Sequence, residues 1–281
     1  MEICQKNLHY KINDEINVFF LGDIHEGSAN HASKPFKRAI QYIVDTPDSY
    51  VIGMGDYADC ITHRDKRFNP SEIDRSYSIR DLKDLPNIQM NRLAKQLDPI
   101  RDKFIAWLYG NHEEAFSKYN SFDPLAKLVY LMGSDAPRLG YTGVLRLGII
   151  RQDNRKTPNY YFDIDLNHGE GGGGRREGYP INIVHDVFRW TSGDIKVMGH
   201  IHQMATDCKK FSFVDRNLNM KMQKVLYGSN GCFMYKRKEG TRGYFESKPG
   251  PYSGIGMLHL QIKVGHGKQD CRLNLIEREF D

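Results

Sequence analysis

The sequence predicts a mixed α/β fold in which buried strands alternate with amphipathic helices. Residues 18–21 form a run of bulky apolar side chains that stops at Gly22, a pattern typical of a buried strand that leaves its sheet in a sharp turn. Residues 50–54 repeat this pattern and again end at a glycine and a carboxylate. Between the two runs, apolar residues recur at helical spacing, at Phe36, Ala39, Ile40, Ile43 and Val44. This order of strand, helix and strand predicts a β-α-β unit.

The same alternation continues along the chain. Apolar residues at helical spacing predict a helix over residues 90–97, which Pro99 ends or kinks. Residues 104–109 predict a third strand. Asp123 followed by Pro124 predicts the capped start of another helix.

After Gly143 the apolar pattern shifts towards a period of two, which predicts strands. The predicted strands lie at residues 144–150, 160–166, 195–198, 224–227, 258–264 and 271–276. A short helix is predicted over residues 183–190, and a hairpin turn at 265–268 joins the last two strands. Residues 60–86 are charged and irregular, which predicts an exposed excursion near the first strand ends rather than core.

Length and composition indicate one large core. With 281 residues, of which 40% are hydrophobic, we expect a single domain over residues 1–281 and no global disorder. The net charge of +5 is a mild basic bias. It is compatible with an anionic substrate but too small to demonstrate nucleic-acid binding.

The five cysteines occur without a C-x-x-C pair. This argues against a zinc knuckle or a disulfide framework and favours reduced thiols. The N-terminus lacks the apolar core of a signal peptide, and no run approaches the roughly 20 apolar residues of a membrane helix. We therefore expect a cytoplasmic protein that makes no membrane contact.

Residues with metal-binding or acid–base chemistry follow the predicted strands at their carboxyl ends, where ligands collect in open α/β sheets. They are Asp23, His25, Asp56, Asp59, Asn111, His112, His168, His200 and His202. Imidazoles, carboxylates and an amide oxygen together suit Mn²⁺, Fe²⁺ or Zn²⁺ better than Mg²⁺, which prefers oxygen ligands alone. The set is too large for one ion, so it predicts two divalent ions about 3.5–4 Å apart, with one carboxylate bridging them. We expect Mn²⁺, with Fe²⁺ or Zn²⁺ as alternatives.

Five short motifs contain these residues. In order they are Gly22-Asp23-Ile24-His25, Gly55-Asp56-Tyr57-Ala58-Asp59, Gly110-Asn111-His112-Glu113, His168-Gly169 and Gly199-His200-Ile201-His202. In this order they resemble the signature of the calcineurin-like metallophosphoesterase superfamily. The resemblance implies a four-layer α/β/β/α sandwich with a two-metal site at the strand carboxyl ends. It also implies a metal-dependent phosphoric ester hydrolase.

The resemblance further implies a role for each motif residue. The metal ligands would be Asp23, His25 and His202 for one ion, Asn111, His168 and His200 for the other, and Asp56 as the bridge. A water or hydroxide shared by the two ions would attack phosphorus in line. His112 would stabilise or protonate the leaving oxygen, oriented by Asp59. The alternative for Asp59 is a solvated turn carboxylate.

Two segments outside the motifs carry basic residues. Four glycines at 171–174 precede Arg175 and Arg176, and main-chain N–H groups together with forked guanidinium donors can bind the phosphate of a substrate. The alternative is a flexible surface loop. Residues 235–244 place basic residues between aromatic ones, a mixture that binds a nucleotide backbone or else forms a solvated loop.

The remaining histidines are expected to have no catalytic role. His185 lies inside an apolar helical pattern and is expected to pack there. The surface histidines are expected to be His9, His31, His63, His259 and His266. Substrate contact is the alternative for His31 and His63, which lie in loops near the site strands.

Two departures from known branches of the superfamily narrow the function. Cys60-Ile61 stands where protein serine/threonine phosphatases carry Arg-Gly, and Glu113 stands where the DNA-repair nuclease branch usually has Asp. We expect a phosphodiesterase that acts on nucleotide-type or nucleic-acid diesters. The alternatives are a phosphomonoesterase, such as a nucleotide or protein phosphatase, and a catalytically silent scaffold of the same fold. The scaffold is disfavoured because no metal-binding histidine is missing.

Overall fold

The computed structural model describes residues 1–63, 65–151, 158–171, 178–215, 217–236 and 254–281. Its strands are β1 (Glu2–Tyr10), β2 (Glu15–Leu21), β3 (Ser49–Gly53), β4 (Phe104–Trp107), β5 (Thr142–Arg151), β6 (Tyr160–Asn167), β7 (Ile195–Met198), β8 (Ala205–Val214), β9 (Met220–Ser229), β10 (Gly256–Lys263) and β11 (Arg272–Glu279). Its helices are α1 (Ser33–Asp45), α2 (Leu85–Leu97), α3 (Asn111–Tyr119), α4 (Pro124–Met132) and α5 (Tyr179–Val187). The fold is therefore mixed α/β, as predicted.

The strands form two sheets. The five-stranded sheet has the order β11-β10-β2-β3-β4, and the six-stranded sheet has the order β1-β5-β6-β7-β9-β8. In the first sheet β2, β3 and β4 are parallel, and in the second β6 and β7 are parallel. Parallel neighbours end at the same edge of a sheet. The loops after β2, β3 and β4 therefore share one edge, and the loops after β6 and β7 share another.

Apolar side chains hold the two sheets face to face. Val18 and Phe20 of β2 belong to the buried cluster between the sheets, together with Ile164 of β6. Their neighbours Phe19 and Leu21 belong to a second cluster, which includes the apolar faces of α1, α2 and α4. Because side chains alternate along a strand, β2 is buried on both faces.

The outer face of the six-stranded sheet is covered by α5. Val184 and Phe188 pack there with Met198, Val225 and Tyr227. Helices thus cover the outer faces of both sheets, and the layers follow one another as helix, sheet, sheet and helix. This confirms the predicted α/β/β/α sandwich.

Most of the predicted elements are confirmed. Asp123 caps α4, since its Oδ1 accepts a hydrogen bond from the Ala126 main-chain N–H at 3.0 Å. Helix α2 ends at Leu97, before Pro99. None of the described residues from 61 to 84 is fully buried, in agreement with the predicted excursion. The five cysteines are unpaired, and no helix in the described ranges combines the length and the apolar character needed to cross a bilayer.

Three elements were missed by the sequence prediction, namely β1, β8 and α3. Strands β1 and β8 form the two edges of the six-stranded sheet, and most of their residues are exposed. A strand at the edge of a sheet that is mostly exposed to solvent does not require alternating apolar residues, so its hydrophobic pattern in the sequence is weak. Helix α3 buries only Glu113, and it therefore lacks the apolar stripe by which helices are recognised.

The expectation that His31 and His259 lie at the surface is wrong, since both are buried. His259 lies on β10 between two apolar core residues, and its ring stacks on that of Phe19 at a centroid distance of 4.2 Å. Helix α1 covers this face of the sheet, which the alternating pattern of β10 suggested was open to solvent. His31 Nδ1 donates to the Ile24 carbonyl oxygen at 2.8 Å. His9, His63 and His266 are exposed, as predicted.

The hydrogen-bond partners of His259 favour its neutral form. Its Nε2 lies 2.7 Å from Asn17 Oδ1 and donates to it, and its Nδ1 accepts from Arg278 Nε at 3.3 Å. A second proton on the ring would have to bind Nδ1, where it would point at the Arg278 donor and remove the acceptor of this hydrogen bond. Burial, with the Arg278 charge as a smaller cause, lowers the pKa of His259 to about 4.

This pKa predicts a loss of stability in mild acid. Between pH 6.5 and pH 4 the unfolded chain binds a proton at His259 that the native chain does not bind. The free energy of unfolding should therefore fall as the pH falls through this window, by at most about 3 kcal/mol from this group. Urea unfolding at several pH values measures the slope, which should be shallower in His259→Gln than in the wild type.

The exposed His266 supplies the control. His266→Gln should keep the wild-type slope, because that ring meets water in both states. Equal slopes for the wild type and His259→Gln would contradict the assignment.

Candidate metal centre

Five strand ends, three from one sheet and two from the other, deliver the predicted ligands to one place. The ligands after β2, β3, β4, β6 and β7 are Asp23 and His25, Asp56, Asn111, His168, and His200 and His202. All five strands end one to four residues before their first ligand. The convergence therefore follows from the parallel pairing within each sheet and from the packing of the two sheets.

The ligands form two clusters. Asp23, His25 and His202 form the first, in which His202 Nε2 lies 3.3 Å from Asp23 Oδ1 and 3.2 Å from His25 Nε2. Asp56, His168 and His200 form the second. These two triads correspond to the two ion sites that the sequence motifs imply, apart from the shared carboxylate.

Asp56 and Asn111 complete the arrangement. Asp56 Oδ2 lies 3.3 Å from His168 Nε2 in the second cluster and 3.9 Å from His25 Nε2 in the first. It thus lies between the two clusters. Asn111 Oδ1 lies 3.2 Å from His168 Nε2, which adds an amide oxygen to the second cluster.

Hydrogen bonds at the outer ring nitrogens determine which nitrogen of each histidine faces inward. His168 Nδ1 lies 2.7 Å from the Met54 carbonyl oxygen, and His200 Nε2 lies 2.9 Å from that of Gly171. His25 Nδ1 lies 3.3 Å from Asp59 Oδ1. A nitrogen that faces an oxygen acceptor carries the proton, so the other nitrogen of a neutral ring presents a lone pair. The inward atoms are therefore Nε2 of His168 and His25, and Nδ1 of His200.

The inward atoms lie close to one another. Asp23 Oδ1 and His200 Nδ1 are buried and make no hydrogen bond to any residue that the structure describes. Two acceptors bound to the same cation at about 2.0–2.2 Å lie roughly 3–3.5 Å apart, and the separations of 3.2 and 3.3 Å fall in this range. The donor set therefore fits two borderline divalent cations.

The backbone of the ligand loops is strained. Asp23, His25, Asp56, His200 and His202 have φ values of 48°, 51°, 50°, 70° and 58°. Residues other than glycine adopt this left-handed backbone conformation at a cost on the order of 1 kcal/mol each. Surrounding contacts maintain it, and strain of this kind is typical of functional sites.

Main-chain donors orient the two carboxylates. The His200 N–H donates to Asp23 Oδ2 at 3.0 Å, and the His112 N–H donates to Asp56 Oδ1 at 3.0 Å. Each carboxylate thus has one oxygen engaged by the backbone and the other directed into a cluster. Gly110 makes room for this, because a Cβ atom there would lie 2.1 Å from Asp56 Oδ1.

Charges within the site shift several pKa values. Burial alone would raise the pKa of Asp56, but the His168 and His112 charges outweigh it and hold the pKa well below its usual value. Burial opposes the charged form of His168, yet the Asp56 carboxylate raises its pKa to about 9. Burial lowers the pKa of His25 and, with the His168 charge, that of His200. At neutral pH Asp56 is thus an anion and His25 and His200 are neutral, whereas His168 must release a proton to bind a cation. Cys232 and the Asp23 carboxylate likewise raise the pKa of His202 well above its usual value, although burial opposes it.

His112 and Asp59 lie beside the ligands. His112 Nδ1 lies 2.5 Å from the Asp59 carbonyl oxygen and 3.6 Å from its carboxylate. The Asp59 carboxylate is closer to His25. The main chain of Asp59 therefore orients His112, while its side chain orients His25. Arg175 and Arg176 lie outside the described residues, as does most of the second basic segment, 235–244.

Glu113 is a site residue whose role sequence reasoning missed. Its buried carboxylate accepts hydrogen bonds from the main-chain N–H groups of Tyr57 at 2.8 Å, Asp56 at 3.0 Å and Gly110 at 3.0 Å. Burial, together with the Asp56 charge, raises the pKa of Glu113 to about 7. The signal was present, since a carboxylate directly after His112 in a strand-end motif is expected to meet backbone donors.

An α/β/β/α sandwich with two ligand clusters joined by a carboxylate defines a class of binuclear phosphoester hydrolases. The sequence profile of the calcineurin-like phosphoesterases matches residues 16–204, about two thirds of the chain. The chain belongs to the calcineurin-like phosphoesterase family.

Other similarities are remote. No curated protein sequence matches the chain at a significant level. Among solved structures, the NAD nucleotidase of Haemophilus influenzae superposes with a TM-score of 0.40 at 10% sequence identity. The match covers 96% of this chain and 50% of the nucleotidase, so the chain spans half the length of that protein.

Removing the Glu113 carboxylate should destabilise the chain. In Glu113→Ala four main-chain N–H groups, those of Asp56, Tyr57, Ala58 and Gly110, lose their acceptor, and a loss of about 3 kcal/mol in the free energy of unfolding is expected. Urea unfolding at pH 8 without added metal measures it. The neighbouring Glu114 is exposed, and Glu114→Ala should stay within about 0.5 kcal/mol of the wild type. Equal effects of the two substitutions would show that Glu113 does not anchor the loop.

Proposed function

We propose that this phosphoesterase hydrolyses diesters of the nucleotide or nucleic-acid type with two divalent metal ions, Mn²⁺ being the first choice and Fe²⁺ or Zn²⁺ the alternatives. The observation that carries the proposal is the pair of ligand clusters with Asp56 between them. A single ion could not use all seven side chains, whereas two ions that share a carboxylate could.

In this proposal, each ion is bound by the residues of one cluster. The first ion would be held by Asp23, His25 and His202, the second by Asn111, His168 and His200, and Asp56 would contact both. The contacts of Asp59 and Met54 support this division, because they direct His25 Nε2 and His168 Nε2 inward.

Two dications held there would lower the pKa of a shared water towards neutrality and offset the charge on the phosphate oxygens. His112 supplies the acid. Its Nδ1 donates to the Asp59 carbonyl oxygen, which leaves Nε2 to give a proton to the departing oxygen. Although burial opposes it, the Asp56 and Asp59 charges raise the pKa of His112, which favours the protonated ring that an acid requires.

Charge favours a diester over a protein phosphomonoester. A monoester carries close to two negative charges at neutral pH, and the protein-phosphatase branch supplies an arginine after the second motif. Here Cys60 occupies that position, where it is buried and its N–H donates to Gln89 Oε1 at 3.0 Å. A singly charged diester requires fewer cationic contacts than a monoester.

Hydrolysis of bis(p-nitrophenyl) phosphate and of p-nitrophenyl phosphate with Mn²⁺ tests the proposal. We expect metal-dependent hydrolysis of both, with the higher kcat/KM for the diester. A clear preference for the monoester would contradict the diesterase assignment. If neither ester is hydrolysed with metal, the result would favour the alternative of a catalytically silent scaffold.

Asp56→Asn should weaken both metal positions, because the bridging negative charge is lost while the shape of the side chain is kept. Metal content after equilibrium dialysis against Mn²⁺ measures the effect, and the unfolding transition checks the fold. We expect fewer than two bound ions and loss of diester hydrolysis. The exposed Asp102 is the control, and Asp102→Asn should bind metal like the wild type. Two tightly bound ions in Asp56→Asn would refute the bridging role.

His112→Ala should keep both ions but slow the reaction. The loss should depend on the leaving group, since a poor one needs the proton more. We expect a decrease of about 10²–10⁴-fold in kcat for a phenyl ester and a smaller decrease for the p-nitrophenyl ester. His63→Ala, at an exposed histidine of a neighbouring loop, should match the wild type on both. Equal losses on the two esters would argue against an acid role for His112.

A further inference from the structure

One face of α3 leads away from the candidate metal centre. Asn111, Glu114, Ala115, Lys118 and Tyr119 stand at positions i, i+3, i+4, i+7 and i+8, so they form a single stripe along the helix. All five line a cleft of about 750 Å³, a volume typical of small-molecule sites. The stripe ends about 12 Å from its start, at 1.5 Å per residue.

The cleft begins at the metal centre. Asn111 lines the cleft, and its Oδ1 also lies 3.2 Å from His168 Nε2 in the second ligand cluster. A phosphate held by that cluster would therefore extend its substituent along the α3 stripe. The length of the stripe is sufficient for a nucleoside attached to that phosphate.

The wall opposite the stripe is rigid. Tyr109 and Asp123 line it, and the Tyr109 hydroxyl donates to Asp123 Oδ2 at 2.7 Å. Arg138 Nη1 donates to both, at 3.0 and 3.1 Å. This network keeps the Tyr109 ring and the cleft wall in place without a ligand.

Two side chains of α3 have groups available to a ligand. Tyr119 is 79% exposed, so its ring is accessible to a ligand, and Lys118 Nζ lies 5.6 Å from its centroid. Ser117 also lines the cleft. Its Oγ is buried and has no hydrogen-bond partner in the described ranges, although buried hydroxyls normally have one.

We infer that the cleft along α3 binds the nucleoside of the substrate, with the base stacked on Tyr119 and a sugar or base polar group bonded to Ser117 Oγ. An aromatic face, hydroxyl and carboxylate groups and a lysine are the chemistry that a nucleoside requires. The inference rests on the proposed function, since the phosphate at Asn111 sets the position of the nucleoside.

Two diesters that share a leaving group separate the nucleoside from the phosphate chemistry. They are the p-nitrophenyl ester of thymidine 5′-monophosphate and methyl p-nitrophenyl phosphate. The wild type should show the lower KM for the nucleoside ester. Tyr119→Ala should raise that KM about 5- to 100-fold, as expected for the loss of one base stack, and should leave kcat/KM for the methyl ester unchanged. Tyr119→Phe, which keeps the ring, should restore the low KM.

Tyr130 is a matched control. It is also 79% exposed and has Lys127 Nζ 5.9 Å from its ring, but it lies on α4 and does not line the cleft. Tyr130→Ala should leave the KM of both esters unchanged. Equal KM values for Tyr119→Ala and Tyr130→Ala, or no preference of the wild type for the nucleoside ester, would overturn the inference.

The proposed function can fail separately. If neither ester is hydrolysed with Mn²⁺, the diesterase proposal falls, and calorimetric titration with thymidine 5′-monophosphate then tests the cleft alone. Binding weakened by Tyr119→Ala and not by Tyr130→Ala would support the inference. Absence of binding, or the same affinity in all three proteins, would reject it.

Discussion

The candidate site depends on one buried carboxylate that contacts no substrate. Glu113 accepts main-chain hydrogen bonds from Asp56, Tyr57 and Gly110, and so joins the loop after β3 to the start of α3. The loop after β2 is joined to the same loop by the main chain, because the Asp23 N–H donates to the Gly55 carbonyl oxygen. These hydrogen bonds fix the positions of three strand ends relative to one another. They thereby also fix the positions of the ligands that follow those strands.

The same loops combine strain with charge crowding. Five ligands have left-handed backbones, and ring nitrogens of two histidines lie 3.2 Å apart. Both features are maintained by the packing of strands that are buried on two faces. Such a site is pre-organised for cations, since binding requires little rearrangement.

The sequence motifs allowed the candidate ligands to be predicted because four of the five begin at a glycine that follows a buried apolar run. Asp23, Asp56 and His200 could be placed at strand ends in this way, and the structure brings them together. The prediction failed for residues whose burial depends on a helix that packs over them from elsewhere in the chain. His259 alternates with core residues and resembles a solvent-facing position, yet α1 covers it and its ring stacks on Phe19. Helix α3 could not be predicted from periodicity because it buries only Glu113.

By itself, the sequence determined which strands are buried, where they end and which polar residues follow, because these features depend on neighbours along the chain. It also carried the five motifs from which the family was expected. Only the tertiary structure decided which oxygen or nitrogen of each ligand faces inward, which residue anchors the loops and which helix face borders the site. These depend on contacts between residues far apart in sequence, such as that of Met54 with His168, and no local pattern encodes such contacts.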